Sequence, residues 1–229
     1  MHTFFRKVKQ TLHSGFSWLL QRILIELIYL CFRPQVRFSS PEAKAAARSE
    51  ACVMVSNHIR GMDGGVILSL LGDRHIRALV AKDWYEKNPW MHFFLSCMPV
   101  VPIDREHASL AWLRSSRALL KEGKAIYLCP EGACHFDRVV HSFKPGFVTL
   151  ASVAGVRILP IYHNGEYHPF FGKRFRMIVG DPITLPEEAS GIRSETLQRH
   201  ADETWSIVRN LELQLNGIIR EEEPHAVSH

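Results

Sequence analysis

A histidine and an aspartate stand five residues apart directly after a short apolar run, in the stretch NHIRGMDGG. A turn that folds the carboxylate of Asp63 back onto His58 would fix the tautomer of the imidazole, so that its second nitrogen faces outwards as a base. The same spacing is compatible with an Asp63 that only caps the following helix, beside a His58 on a surface loop. The pair by itself therefore supports two interpretations, an acid–base pair and a helix cap.

Further motifs follow at or in predicted strands. The segment VPIDR places Arg105 after one strand, and CPEG places Glu131 and Gly132 after another. The segment LPI, which contains Pro160, lies in a later strand, and an FKPG element with Lys144 precedes it. Charged groups at several strand ends favour the acid–base interpretation of the first motif over the helix cap.

With these motifs the chain resembles the glycerolipid acyltransferase family, which includes the lysophosphatidic acid acyltransferases. The family's four blocks are N-H-x-x-x-x-D, a block ending in I-D-R, F-P-E-G-T-R-S and an apolar V-P-I-like block. Counterparts of all four occur in the same order between Asn57 and Ile161. The resemblance covers most of residues 50–180, and four blocks in order are much more specific than any single block.

The third block departs from the family's pattern. Glu131 and Gly132 match it, but the next three residues are Ala, Cys and His instead of Thr, Arg and Ser. In the family that arginine is associated with recognition of the acceptor's phosphate, and its position is taken here by Cys134. Two basic residues of the other motifs persist, Arg105 and Lys144.

The resemblance implies an O-acyltransferase that moves a fatty acyl group from an acyl thioester to the hydroxyl of a lysophospholipid. The leading acceptor is lysophosphatidic acid, the donor is acyl-CoA or acyl-acyl carrier protein, and no bound cofactor or metal is implied. Because the chain has no G-x-S-x-G nucleophile elbow, we expect direct attack, with His58 as general base and Asp63 as its orienting partner. The implied substrate-binding residues are Asn57, Arg105, Glu131, Gly132, Lys144 and Pro160.

Three alternatives remain at this point. One is an acyltransferase whose lyso-lipid acceptor carries no phosphate monoester. A second is a metal-dependent hydrolase, which is suggested by 13 histidines and the stretch HNGEYH, although no H-E-x-x-H motif occurs. The third is a catalytically silent membrane-binding module, which the altered third block suggests.

The positive charge of the chain is concentrated at its N-terminal end. Residues 1–37 contain six basic side chains and one acidic side chain, whereas the remainder contains 22 of each. A nucleic-acid-binding domain usually carries its basic residues across a folded face, so we expect an anionic membrane surface as the partner and no nucleic acid. Five cysteines without a C-x-x-C pair are typical of a reducing compartment.

The apolar segment over residues 16–32 is interrupted by Gln21, Arg22 and Glu26. A charge at the centre of a bilayer costs about 2.5–3.5 kcal/mol, so this pattern favours a helix that lies in the membrane interface, although a spanning helix remains possible. A helix packed on the protein's own core is the other alternative, while the absence of a small-residue cleavage site disfavours a signal peptide. We expect the protein at the cytoplasmic face of a membrane, the inner one in a bacterium.

Short apolar runs alternate with helical patterns after residue 34, which predicts an α/β fold with a largely parallel or mixed sheet covered by helices. We expect an N-terminal amphipathic, membrane-associated helix before this fold. We expect a membrane-anchoring segment over residues 1–37, an α/β acyltransferase domain over 38–220 and a polar tail over 221–229. Strands are predicted over residues 52–56, 76–81, 100–103, 125–129, 157–162 and 175–179, and helices over 64–71, 109–122, 147–154 and 195–219.

Overall fold

One seven-stranded sheet organises the computed structural model, which describes residues 2–72, 75–104, 110–186 and 194–217. The strands are β1 (Gln35–Phe38), β2 (Cys52–Ser56), β3 (Ile76–Ala81), β4 (Val100–Ile103), β5 (Ala125–Leu128), β6 (Arg157–His163) and β7 (Arg176–Val179). The helices are α1 (His2–Phe32), α2 (Pro41–Ser49), α3 (Asp63–Leu71), α4 (Lys82–Glu86), α5 (Pro89–Cys97), α6 (Ala111–Lys121), α7 (Gly146–Ala154) and α8 (Ser194–Leu215).

The strand order is β1-β7-β6-β2-β5-β3-β4. Every neighbouring pair is parallel except β6 and β7, which run antiparallel. The predicted α/β fold with a largely parallel or mixed sheet is therefore confirmed. The sheet begins at Gln35, so the last residues of the segment predicted over 1–37 belong to its edge strand, and the polar tail over 221–229 lies outside the described residues.

Both faces of the sheet are covered, as β2 shows. Its residues are all buried, with Cys52 and Met54 on one face and Val53 and Val55 on the other. Helices α2 and α3 pack on the first face, and α6, α7 and α8 pack on the second. Because successive side chains of a strand point to opposite faces, a strand that is covered on both sides needs an uninterrupted apolar run.

The three central strands β6, β2 and β5 are parallel, so their carboxyl ends lie at one edge of the sheet. Asn57 and His58 directly follow β2, the CPEG loop follows β5, and His163 ends β6. In open α/β sheets, the crevice outside the carboxyl ends of the strands is the usual place for a ligand. The fold thus gathers the sequence motifs at the edge where a site is expected.

Helix α1 packs against α3 and α5 through only part of its surface. The side-chain amide of Gln21 donates to the carbonyl of Cys97 at 2.8 Å, while Ile28 and Phe32 contact the core of the first face. Seven large apolar side chains of α1 remain 44–63% exposed: Phe16, Trp18, Leu19, Ile23, Leu27, Tyr29 and Leu30. Within the described residues, no helix combines the length and the apolar character that crossing a bilayer requires.

Candidate active site

The carboxylate of Asp63 is fully buried and accepts hydrogen bonds on both oxygens. Its Oδ2 accepts from the backbone amides of Ile59 and Arg60 at 2.7 and 2.8 Å, and its Oδ1 accepts from the hydroxyl of Tyr167. Asp63 is the first residue of α3, and the amides that it binds belong to the preceding loop. The carboxylate therefore holds the loop that presents His58, and the alternative of a simple helix cap is excluded.

His58 completes this arrangement with its Nδ1 at 3.0 Å from Oδ2 of Asp63. Because a carboxylate only accepts, Nδ1 carries the proton and Nε2 of a neutral ring is left as the basic atom. The His58 side chain is 17% exposed, whereas Asp63 is completely covered. The ring thus connects a buried carboxylate with the open edge of the sheet.

The surroundings shift the pKa values of both groups. Burial alone would lower the pKa of His58, but the hydrogen bond with Asp63 and the nearby Cys129 raise it above its ordinary value. Burial alone would raise the pKa of Asp63, but the His163 ring, the hydrogen bonds from His58 and Tyr167, and a loop amide lower it. Asp63 is therefore an anion at neutral pH, and the His58 ring, whose pKa is raised to about 11, is mostly protonated there and must release its Nε2 proton before it can act as a base.

Asn57 ties the ends of β2 and β6 together. Its side-chain amide donates to the carbonyl of His163 at 2.9 Å, and its side-chain oxygen accepts from the amide of His163 at 3.1 Å. Nε2 of His163 lies 3.1 Å from the carbonyl of Asn57, so this nitrogen carries the proton. Burial lowers the pKa of His163, which keeps the ring neutral behind the carboxylate of Asp63.

Tyr167 and Gly165 were not identified from the sequence, although both shape the site. The Tyr167 ring stacks on Phe175 with centroids 5.3 Å apart and contacts Phe32 of α1 edge-on at 5.5 Å. Gly165 has a φ of 62°, and a Cβ at this position would lie 2.6 Å from Cδ1 of Ile59. Only glycine fits there, since both its conformation and its contact with the loop exclude a side chain.

The loop of the third motif, which follows β5, lies against His58. The amide of Lys144 donates to the carbonyl of Pro130 at 3.0 Å, and Nζ of Lys144 lies 2.8 Å from where a Cβ on Gly132 would stand. Gly132 has a φ of 81°, so the absence of a side chain allows both the turn and the close approach of the lysine. Burial raises the pKa of Glu131 to about 8, which makes this carboxyl a largely protonated group at neutral pH.

Cys134 lies directly against the base, which the sequence did not indicate. Its Sγ is 3.1 Å from Nε2 of His58, and the amide of the next residue, His135, donates to the carbonyl of His58 at 2.7 Å. This backbone bond joins the third motif to the first. The sequence shows Cys134 only as a departure from the family's third block, because the loop conformation alone brings the thiol to the ring.

Other predicted residues lie elsewhere. Pro160 is buried in the interior of β6, where it pairs with Val55 of β2, and Arg105 lies outside the described residues. The two histidines of the HNGEYH stretch lie in different surroundings. His163 is buried behind Asp63, whereas His168 is exposed and pairs with Glu166 at 2.9 Å. Among the described residues, no three His, Cys, Asp or Glu side chains are grouped to hold a metal ion.

Comparison with known proteins identifies the family to which the chain belongs. A family model described as "Acyltransferase" matches residues 35–164, which include β1, the His58–Asp63 loop and the third motif. The chain belongs to this acyltransferase family. The resemblance noted in the sequence is confirmed, and so is the expectation of an O-acyltransferase.

Named relatives are consistent with this family. A 1-acyl-sn-glycerol-3-phosphate acyltransferase of Bacillus subtilis is 26% identical over 145 residues, which are 61% of this chain and 70% of the relative. The chloroplastic 1-acyl-sn-glycerol-3-phosphate acyltransferase BAT2 of Brassica napus is 32% identical over 48% of this chain, a match that spans 32% of the plant protein. The crystal structure of the 1-acyl-sn-glycerophosphate acyltransferase PlsC from Thermotoga maritima has the same fold, with a TM-score of 0.61, 19% identity and coverage of 95% of this chain and 100% of that one.

The first prediction concerns the pKa of His58. In Asp63→Asn, we expect this pKa to fall, because the charged partner is lost while the burial that lowers the pKa remains. Between the two pKa values, the wild-type ring is protonated and the variant ring is neutral. An NMR titration of the imidazole signals measures both values, and His200, which pairs with Glu203 on α8, is an internal reference. An unchanged His58 titration would show that Asp63 does not set the properties of the base.

Proposed function

We propose that the protein transfers a fatty acyl group from an acyl thioester to the free hydroxyl of a lysophospholipid, with lysophosphatidic acid as the leading acceptor. The observation that carries this proposal is the His58–Asp63 pair at the open edge of the sheet, with Nδ1 bonded to a fixed carboxylate and Nε2 on the opposite side of a ring that is 17% exposed. The names of the relatives supply the substrate class. The thioester is acyl-CoA or acyl-acyl carrier protein.

The chemistry needs one general base and support for a tetrahedral intermediate. Nε2 of His58 takes the proton of the acceptor hydroxyl, whose oxygen attacks the thioester carbonyl directly. Asp63 holds the ring in the required tautomer and stabilises the imidazolium that forms. The proton then leaves with the donor's thiol, so the base is regenerated in each cycle.

The acceptor's head group lies beside the third motif in this proposal. Lys144 reaches over Gly132 into the same loop that carries Glu131, and its side chain is exposed to a ligand. The carboxyl of Glu131 is fully buried and largely neutral, so it would not repel a phosphate bound beside this loop. Arg105 is assigned to this site by resemblance alone.

A membrane surface is the second partner that we propose. The exposed apolar residues of α1 would be buried at a lipid interface, and α5, which packs against α1, adds Trp90, whose side chain is 83% exposed. The basic residues near the N-terminus add attraction to anionic lipid. The five free cysteines fit the reducing, cytoplasmic face of such a membrane.

The second prediction tests the catalytic pair. His58→Ala should abolish acyl transfer, and Asp63→Asn should lower the rate by up to about 10⁴-fold, because the ring loses its tautomer and orientation. The measurement is release of the donor's thiol together with product formation. His200→Ala is the matched control, since it removes a histidine that also pairs with a carboxylate but lies on α8. Near-normal turnover of His58→Ala would refute the proposed base.

The third prediction concerns the acceptor. Lys144→Ala should weaken the use of lysophosphatidic acid by roughly 10–150-fold, since a charge-assisted hydrogen bond is worth about 1.5–3 kcal/mol. The same variant should barely affect an acceptor without a phosphate monoester. Steady-state kinetics with both lipids provide the comparison. If the wild type prefers the second lipid and Lys144→Ala is harmless, the protein acylates a different lyso-lipid.

The fourth prediction concerns the membrane surface. A triple substitution of Leu19, Ile23 and Leu30 by serine should weaken binding to anionic phospholipid vesicles by at least about tenfold, because each exposed apolar side chain loses its burial in lipid. Vesicle sedimentation at low and high salt separates this apolar contribution from the basic one. Val153→Ser on α7 is the control, because its exposed side chain lies on the opposite face of the sheet. Unchanged binding of the triple variant would assign attachment to another surface.

A further inference from the structure

The thiol of Cys134 has no part in direct attack, yet it lies at hydrogen-bond distance from Nε2 of His58, the atom on which direct attack depends. Its Sγ lies 3.1 Å from Nε2 of His58, and Nδ1 of the same ring lies 3.0 Å from Oδ2 of Asp63. A nucleophile within hydrogen-bond reach of a base, which is itself oriented by a third group, is the arrangement found in covalent catalysis. Cys134, His58 and Asp63 are such a series.

The position of the thiol is fixed by the main chain around it. The amide of His135 donates to the carbonyl of His58 at 2.7 Å, and this bond holds the residue after Cys134 against the residue that carries the base. Cys134 is only half-buried, so a ligand at the edge of the sheet can reach it. A thiolate is the reactive form of cysteine, and an adjacent imidazole generates it by accepting the thiol proton.

We propose that Cys134 is a second acyl-accepting group, which takes the acyl chain from the thioester donor when the acceptor site is empty. The substrate class rests on the proposed function, since the donor is the same thioester. In this step a bond forms between Sγ of Cys134 and the acyl carbonyl carbon, and the bond between that carbon and the donor's sulfur breaks. The proton moves from Cys134 to Nε2 of His58 and then to the departing thiolate.

The step needs no oxidant or further reactant, because it exchanges one thioester for another. Its products are one acylated Cys134 and one free donor thiol, and an excess of donor drives the exchange towards the loaded enzyme. The thiol and the acceptor hydroxyl use the same nitrogen of His58. A bound acceptor should therefore compete with the loading of Cys134.

The test uses the full chain, an excess of long-chain acyl-CoA and no acceptor. Intact-protein mass spectrometry should show a gain of one acyl group, which peptide mapping assigns to Cys134 and neutral hydroxylamine removes. Cys134→Ala should lose this gain. Cys31→Ser should keep it, because Cys31 is also half-buried but lies on α1.

Variants of the base distinguish an activated thiol from ordinary chemical acylation. His58→Ala should slow the initial rate of loading by about 10²–10⁴-fold, the usual contribution of a general base. His58→Gln, which keeps a polar side chain, is the second variant if the first does not fold, and circular dichroism reports folding of both. Loading at the same rate in a folded His58 variant, or in the urea-denatured protein, would overturn the proposal.

Separate readouts distinguish this proposal from the proposed function. Acyl transfer to a lysophospholipid with no loading of Cys134 during many turnovers would refute the role of the thiol and leave the transferase assignment intact. Loading of Cys134 without transfer to any lysophospholipid would support the thiol's role and refute the assignment of the acceptor.

Discussion

A fully buried carboxylate is stable only when its charge is compensated, and Asp63 is the group that imposes this requirement here. Two loop amides, one imidazole and one phenol meet it. Each of these donors is thereby fixed relative to the others, so the loop after β2 takes a single path and presents His58 at the edge of the sheet. Removal of any partner would leave part of the charge uncompensated. The contact of Gly165 with Ile59 and the hydrogen bonds between Asn57 and His163 hold the same loop from other sides.

The same carboxylate connects the site to α1. Tyr167 donates to Asp63 and contacts Phe32, the last residue of that helix, edge-on. Phe175 lies beneath Tyr167 and His163 and stacks on both rings. Helix α1 is therefore connected to His58 through the ring contact of Phe32 with Tyr167 and the hydrogen bonds of Asp63.

The third motif shows how an altered block can keep its place in a site while its chemistry changes. Glu131 and Gly132 retain the turn that brings Lys144 close, as the contact between Gly132 and the lysine shows. A cysteine in place of the family's arginine replaces a fixed positive charge by a thiol whose Sγ lies 3.1 Å from Nε2 of His58. Burial raises the pKa of Glu131 to about 8, so this carboxyl adds little negative charge to the third motif at neutral pH.

The sequence by itself determined the class of fold and the pairing of His58 with Asp63. The central strands are uninterrupted apolar runs because both faces of the sheet are covered, and this pattern is local. The His58–Asp63 spacing is also local, since one turn of chain joins the two residues. By contrast, β1 has the half-polar sequence QVRF and was not predicted, because its pairing with β7 and not its composition makes it a strand.

Only the tertiary structure decided which residues surround the pair. Tyr167 is 104 residues from Asp63 in the chain, His163 is 106 residues from Asn57, and Cys134 is 76 residues from His58. Such contacts depend on strand order and loop paths, which leave no periodic signal in the sequence. The sequence names His58 and Asp63, whereas the placement of β6 and of the loop after β5 beside β2 supplies the phenol, the second imidazole and the thiol that surround them.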